Sequence, residues 1–435
     1  MKPTLQRPIA SALRALALLL ALVVFALPAA AQGNKKVALN APENCPYCKG
    51  DKKLLEAAGL VSHGPFPFGK SESTKVDELL VTCEILWVET KHFRIGFALG
   101  SYKVKLEEKK KVLAELTRLH EVLPDVKPET QILDPWLRLH MYAQRCEDLY
   151  ARFLELIAGQ NVTWPDGPGK WAKGGEYFGE GPYLGMQRKY EFLVLPSEAA
   201  HVDYLTYDAG LRIKKSQRWH FVELGAITLV CHAQQGNLRQ DPALHGHLAF
   251  NLAHNLYDGM LHYNYDTMVW LHEGLAHFME REIDPKYNTF DSDEGAVAEE
   301  TSKENWKSEV LKMIAAGTQP RMAELVTLKR YSELKLPHHF ATWSMVDFLV
   351  KTRPDEFAKF LWALKRNFDS NGIPTGSNLN DLHRAKFKEI FGWSYTEFDE
   401  AWKAWCLTNY KQGPPKGSDP SNPGGSGVPG RFPGG

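Results

Sequence analysis

The hydrophobic pattern of this chain changes period near residue 240, and that change constrains the fold more than any other feature. Upstream, short alternating segments are rich in β-branched and aromatic residues. EILWVETKHFRIGFAL, following Cys83, and further runs near 189–230 read as strands. From Asp241 onward apolar residues recur at helical spacing over 242–258, 267–282, 301–316, 340–352, 354–366 and 396–410. Strands first and helices later predict an α+β fold, an N-terminal strand-containing part followed by a mostly helical half. Within the first part, 104–123 carries i, i+4 charge pairs and reads as a surface helix. Residues 135–159 read either as a strand entering a helix or as one long helix. No internal repeat is present.

The two ends have compositions of their own. Lys2 and Arg7 precede the apolar run ALALLLALVVFALP, which leads into Ala29-Ala30-Ala31. A basic start, an apolar middle and a small-residue end describe a secretory signal peptide over 1–31, cleaved after Ala31. The competing reading is an uncleaved anchor, because the run from Ala15 to Ala31 approaches spanning length. Cleavage implies a secreted or periplasmic protein with no stable membrane span. Residues 32–82 hold a cysteine pair and the turn-rich stretch SHGPFPFGKSES, and read as loosely structured. The expected division continues with a mixed strand and helix part over 83–240 and a helical part over 241–410. A Pro/Gly-rich tail, 411–435, lacks the apolar side chains to bury a core and is expected to be disordered. Lys plus Arg balance Asp plus Glu at 52 each, so no basic field favours nucleic acid.

Six of the 16 histidines fall between residues 245 and 277. Among them HEGLAH, residues 272–277, nearly spells the helical zinc-peptidase signature H-E-x-x-H, but its second histidine arrives one residue late. Five residues turn a helix by about 140° beyond one full turn, so His272 and His277 cannot share a metal as an i, i+4 pair would. His247 and His254 share a face but stand about 10.5 Å apart along the axis. Glu273 and His277, four apart, do share a face.

A second register is more informative. His254 ends the sequence L-A-H, and Glu273 follows it by 19 residues within Trp270-Leu271-His272-Glu273-Gly274-Leu275-Ala276. This resembles the gluzincin, or peptidase-MA-like, metallopeptidases related to aminopeptidase N and thermolysin, strongly over 245–282 and weakly over roughly 85–410. There, two histidines on one helix and a glutamate on the next bind zinc. HHFATWSMVDFLV and IFGWSYTEFDEAWKAW resemble the helical C-terminal part of small members. The resemblance implies His254 and Glu273 as zinc ligands. It places Phe250 where the first zinc histidine belongs and Asn251 where the general-base glutamate belongs. A phenyl ring donates no lone pair, and an amide takes no proton from water near neutral pH. A catalytic zinc needs three ligands, an open position and a base.

The leading expectation is therefore a catalytically degenerate member, a pseudoenzyme that binds a peptide or protein. Zinc is absent if the site has decayed. The alternative is an active metallohydrolase with ligands rebuilt around His254, Glu273 and His277. Tyr331, His338 and His339 are candidates for steadying an oxyanion. Separately, Cys45-Pro46-Tyr47-Cys48 matches the redox sequence of glutaredoxins. A structural disulfide, a metal half-site completed by a residue such as His63, and thiol–disulfide chemistry remain open for Cys45 and Cys48.

Overall fold

The computed structural model describes residues 40–167, 177–261, 267–290, 304–365, 369–370 and 375–410. The segments read as signal peptide and tail lie outside them. A six-stranded mixed sheet is built from β1 (Leu60–Ser62), β2 (Leu86–Thr90), β3 (Phe93–Phe97), β4 (Tyr190–Leu195), β5 (Gln217–Phe221) and β6 (Ala226–His232), in the order β1-β2-β3-β4-β6-β5. Strands β3, β4 and β6 run parallel; β5 pairs antiparallel with β6 on one side, and on the other β2 pairs antiparallel with β3 and β1 antiparallel with β2. The longer helices are α1 (Lys109–Val122), α2 (Pro135–Leu156), α3 (Glu198–Asp208), α4 (Asp241–Leu261), α5 (Val269–Ile283), α6 (Trp306–Ala316), α7 (Leu336–Thr352), α8 (Pro354–Lys365), α9 (Leu379–Phe391) and α10 (Tyr395–Asn409). The architecture is α+β, with the helices concentrated in the second half.

Strand β4 explains why its sequence, YEFLVL, is apolar almost throughout. Tyr190, Phe192 and Val194 face the main core, whereas Leu193 and Leu195 join a smaller core with Phe66, Phe68 and Tyr204. A strand covered on both faces loses the polar alternation of a surface strand. Residues 135–156 form one helix rather than a strand entering a helix. Asp134 caps it by accepting from the N–H groups of Trp136 and Leu137, and Pro135 occupies its first turn.

Two expectations need correction. Residues 40–82 are ordered: β1 pairs antiparallel with β2, and two short helices, Lys52–Ala57 and Ser73–Leu79, flank it. A boundary at 82 would thus separate two strands of one sheet. A three-residue strand has too little period to read alone, and pairing places it. The boundary at 240 is also crossed, because one apolar core runs from Cys45 to Tyr410. Helix α3, inside the region read as strands, and helix α9 were not foreseen.

Two contacts fix the central helices α4 and α5. At the start of α4, Asp241 Oδ2 lies 2.7 Å from Arg145 Nη1 of α2, and its Oδ1 accepts from the Tyr142 hydroxyl at 2.9 Å. In α5, Gly274 permits close approach to α7. A Cβ there would stand 2.6 Å from the backbone oxygen of Thr342.

Candidate functional site

A cleft of about 870 Å³ opens between edge strand β5 and helix α4. One face of α4 supplies His247, Asn251, Asn255 and Asp258, at spacings of 4, 4 and 3, a polar stripe on an otherwise apolar helix. Asn251 is fully engaged. Its Oδ1 accepts from Arg218 Nη1 at 2.7 Å, and its Nδ2 donates to the His247 carbonyl at 2.8 Å. Asn255 is completely buried, with neither its Oδ1 nor its Nδ2 partnered among the described residues. A buried amide without partners is costly, so its presence at the cleft wall is notable. His272 also lines the cleft: its Nδ1 is hydrogen-bonded to the Tyr331 hydroxyl, and its Nε2 lies 3.2 Å from Asp258 Oδ1. Burial raises the Asp258 carboxyl to about 6, against the opposing pull of His220 and Arg218. Burial, reinforced by Arg218 and His232, lowers His247 to about 3, so that imidazole is neutral.

Behind the cleft wall lies a second polar group. Glu273 Oε2 is 3.3 Å from His254 Nε2, and its Oε1 is 3.1 Å from His277 Nε2 and 3.2 Å from His339 Nδ1. All four side chains are completely buried, and none lines the cleft. The Phe250 ring packs against His254 at 4.8 Å and His277 at 4.9 Å between centroids. Burial pushes the Glu273 carboxyl up, but His254, His277 and His339 together outweigh that and hold it well below the usual range. His277 moves the other way: burial lowers it, yet Glu273 and Glu280 raise it above an ordinary imidazole. The pair therefore favours carboxylate beside imidazolium, a buried charge pair sharing one proton network.

The cysteine pair forms a third group. Cys45 Sγ lies 3.1 Å from His140 Nε2, and Cys48 Sγ lies 3.1 Å from His63 Nε2. Both cysteines are free thiols, each aimed at a histidine rather than joined in the disulfide considered above. The hydrogen bond from Cys48 shifts Cys45 toward the thiolate despite burial, and His140 adds to that shift. Among the described residues, two buried groups have side chains that could hold a metal ion: Cys45, Cys48, His63 and His140, and Glu273, His277 and His339.

The residues singled out by sequence are partly brought together. His254, Glu273 and His277 do converge, and His339 joins them from α7. Phe250 fills the space beside them, and of residues 250–254 only Asn251 lines the cleft. Tyr331 lines the cleft itself, hydrogen-bonded to His272. His338 does not: its Nδ1 accepts from the backbone N–H of Lys335, and its Nε2 is 3.4 Å from Glu324. Sequence reasoning missed His272 as a cleft residue, together with Arg218, His220, Asn255 and Asp258. The stripe of polar residues at 247, 251, 255 and 258 was a signal that could have found the last two.

With this geometry in place, comparison with known proteins adds nothing further: no protein-family model, curated protein or solved structure matches the chain.

Proposed function

We propose that this is an exported protein of gluzincin-like architecture that binds an extended peptide or protein segment without cleaving it. One observation carries the reading. The residue in the general-base position, Asn251, sits in the cleft with its amide committed to Arg218 and the His247 carbonyl, while the ligand-type residues Glu273, His277 and His339 are sealed behind it. An amide so engaged cannot accept a proton from water, and general-base catalysis alone is worth ~10²–10⁴ in rate. A metal at the buried cluster would have no open position facing substrate, which a catalytic zinc requires. The cleft retains what binding needs. Strand β5 ends the sheet, its paired side turned to β6, and residues 215–220 line the cleft. An extended peptide added along that edge would gain main-chain hydrogen bonds, with Asn255 and Arg218 beside it.

The alternative, a metallohydrolase with rebuilt ligands, draws support from the convergence of His254, Glu273 and His277. Fluorescein-labelled casein and a labelled hexapeptide mixture separate the two. The binding reading expects saturable anisotropy changes, weakened by Arg218→Glu, with no cleavage and no response to chelator. Hydrolysis abolished by chelator and by Glu273→Gln would establish the alternative instead.

A further inference from the structure

We propose that Cys45, Cys48, His63 and His140 form a structural zinc site that ties the N-terminal segment to the sheet and to helix α2. The four candidate ligand atoms lie within 4.8 Å of one another, and every one of these side chains is buried. A tetrahedral zinc with two sulfurs and two nitrogens needs S···N separations of about 3.6 Å. The two observed S···N contacts are 3.1 Å, so a few tenths of an ångström of outward movement would seat the ion.

The surroundings are those of a metal site rather than of a redox pair. Cys45 and Cys48 lie on a tight turn in which Lys49 and Gly50 both take positive φ, 52° and 65°. That turn brings the Cys48 N–H to 3.5 Å from Cys45 Sγ, a donor aimed at a sulfur that carries negative charge when bound. His63 Nδ1 lies 2.7 Å from the Trp87 carbonyl. Because a carbonyl only accepts, Nδ1 carries the proton and Nε2 turns its lone pair toward Cys48, the tautomer a metal ligand must have. His140 Nδ1 has no partner among the described residues. With four protein ligands the shell is closed, which makes the site structural and not catalytic.

The ligands come from separate places: the cysteine turn, the residue just after β1, and the second turn of α2. Zinc would therefore cross-link a segment that contributes few apolar residues of its own, Leu55 and Leu60 being the buried ones between Cys48 and His63. Binding releases the thiol protons and involves no change of oxidation state. This inference stands apart from the cleft reading, since none of the four residues lines the cleft.

The test uses the full chain, purified from metal-replete culture without reductant. Elemental analysis should find zinc at one or more per chain. X-ray absorption should fit a component with two sulfurs at about 2.3 Å and two nitrogens at about 2.0 Å. Cobalt exchanged into the protein should show a thiolate-to-metal charge-transfer band. His140→Ala should lose one zinc with both thiols intact, whereas Glu273→Gln should keep it. The proposal is overturned if intact mass shows Cys45 and Cys48 oxidised to a disulfide, or if wild-type protein with cobalt lacks the charge-transfer band. It is equally overturned if Glu273→Gln, and not His140→Ala, releases that zinc. The cobalt spectrum needs no variant, so a His140→Ala chain that fails to fold leaves the decision intact.

Discussion

Replacing Asp241 by Asn tests what holds the cleft helix in place. Asp241 opens α4, and its carboxylate meets Arg145 at 2.7 Å, the Tyr142 hydroxyl at 2.9 Å and Arg138 at 3.8 Å. Arg145 is itself a hub: its Nη2 and Nε contact Glu115 of α1 at 2.7 and 3.0 Å. Both Asp241 and Arg145 side chains are only 4% exposed. Asp241→Asn keeps the shape and leaves Arg145 paired with Glu115, so the loss is that of a charged hydrogen bond, about 1.5–3 kcal/mol. Arg145→Met strands two carboxylates and should cost more, about 3–5 kcal/mol. The double variant should fall short of the sum, because the two residues share one interaction. The pH dependence fixes the sign. Burial raises the Asp241 carboxyl, but Arg145 and Arg138 more than reverse this and hold it below its ordinary value. A depressed carboxyl contributes stability that is fully present above the unfolded value, about 3.9, and lost as pH falls through the folded value. Urea unfolding followed by tryptophan fluorescence should therefore show the Asp241→Asn deficit at neutral pH and its shrinkage in acid. A deficit of the same size at both limits, or none at neutral pH, would refute the assignment.

The other expectations can be checked with the same unfolding assay. Glu273→Gln removes the charge that His277 pairs with, and should destabilise by about 3 kcal/mol while leaving probe binding in the cleft unchanged. Loss of binding by a folded variant would contradict the separation of cluster and cleft. Gly274→Ala places a methyl 2.6 Å from the Thr342 carbonyl, which is backbone and cannot turn aside, so a cost of about 1–3 kcal/mol is expected. Wild-type stability after the change would mean that α5 and α7 have room to part. Asp258, raised to about 6 in the fold, contributes stability below its unfolded value and loses it as pH rises toward 6. With 23% of its side chain exposed, the effect is discounted to about 1–2 kcal/mol, the gain expected for Asp258→Asn at neutral pH. A neutral or destabilising outcome would show that the carboxylate is well solvated.

Local pattern carried much of the fold. The helical period made α4, α5 and α7 legible, and β-branched alternation did the same for β2 and β3. The resemblance places His254 and Glu273 together, and the structure holds them 3.3 Å apart across two successive helices. What spacing could not reveal was which side of the α4–α5 interface they occupy. His339 lies 66 residues beyond Glu273 and His140 lies 95 beyond Cys45, and no local signal links residues so far apart. Gly274 was visible as part of WLHEGLA, but its reason, a backbone oxygen of α7 pressed against it, exists only in the packed molecule.

Sequence by itself determined the α+β class, the helices of the second half and the presence of histidines, a glutamate and a cysteine pair fit for coordination. Those properties follow from local period and side-chain chemistry, which each segment carries alone. Tertiary structure decided that Glu273 is sealed among histidines while Asn251, His272 and Asp258 face the cleft. It also turned two cysteines into half of a four-residue group. A helix rotates by about 100° per residue, so neighbours in sequence face different surroundings, and only the packing of the surrounding elements settles which face meets solvent.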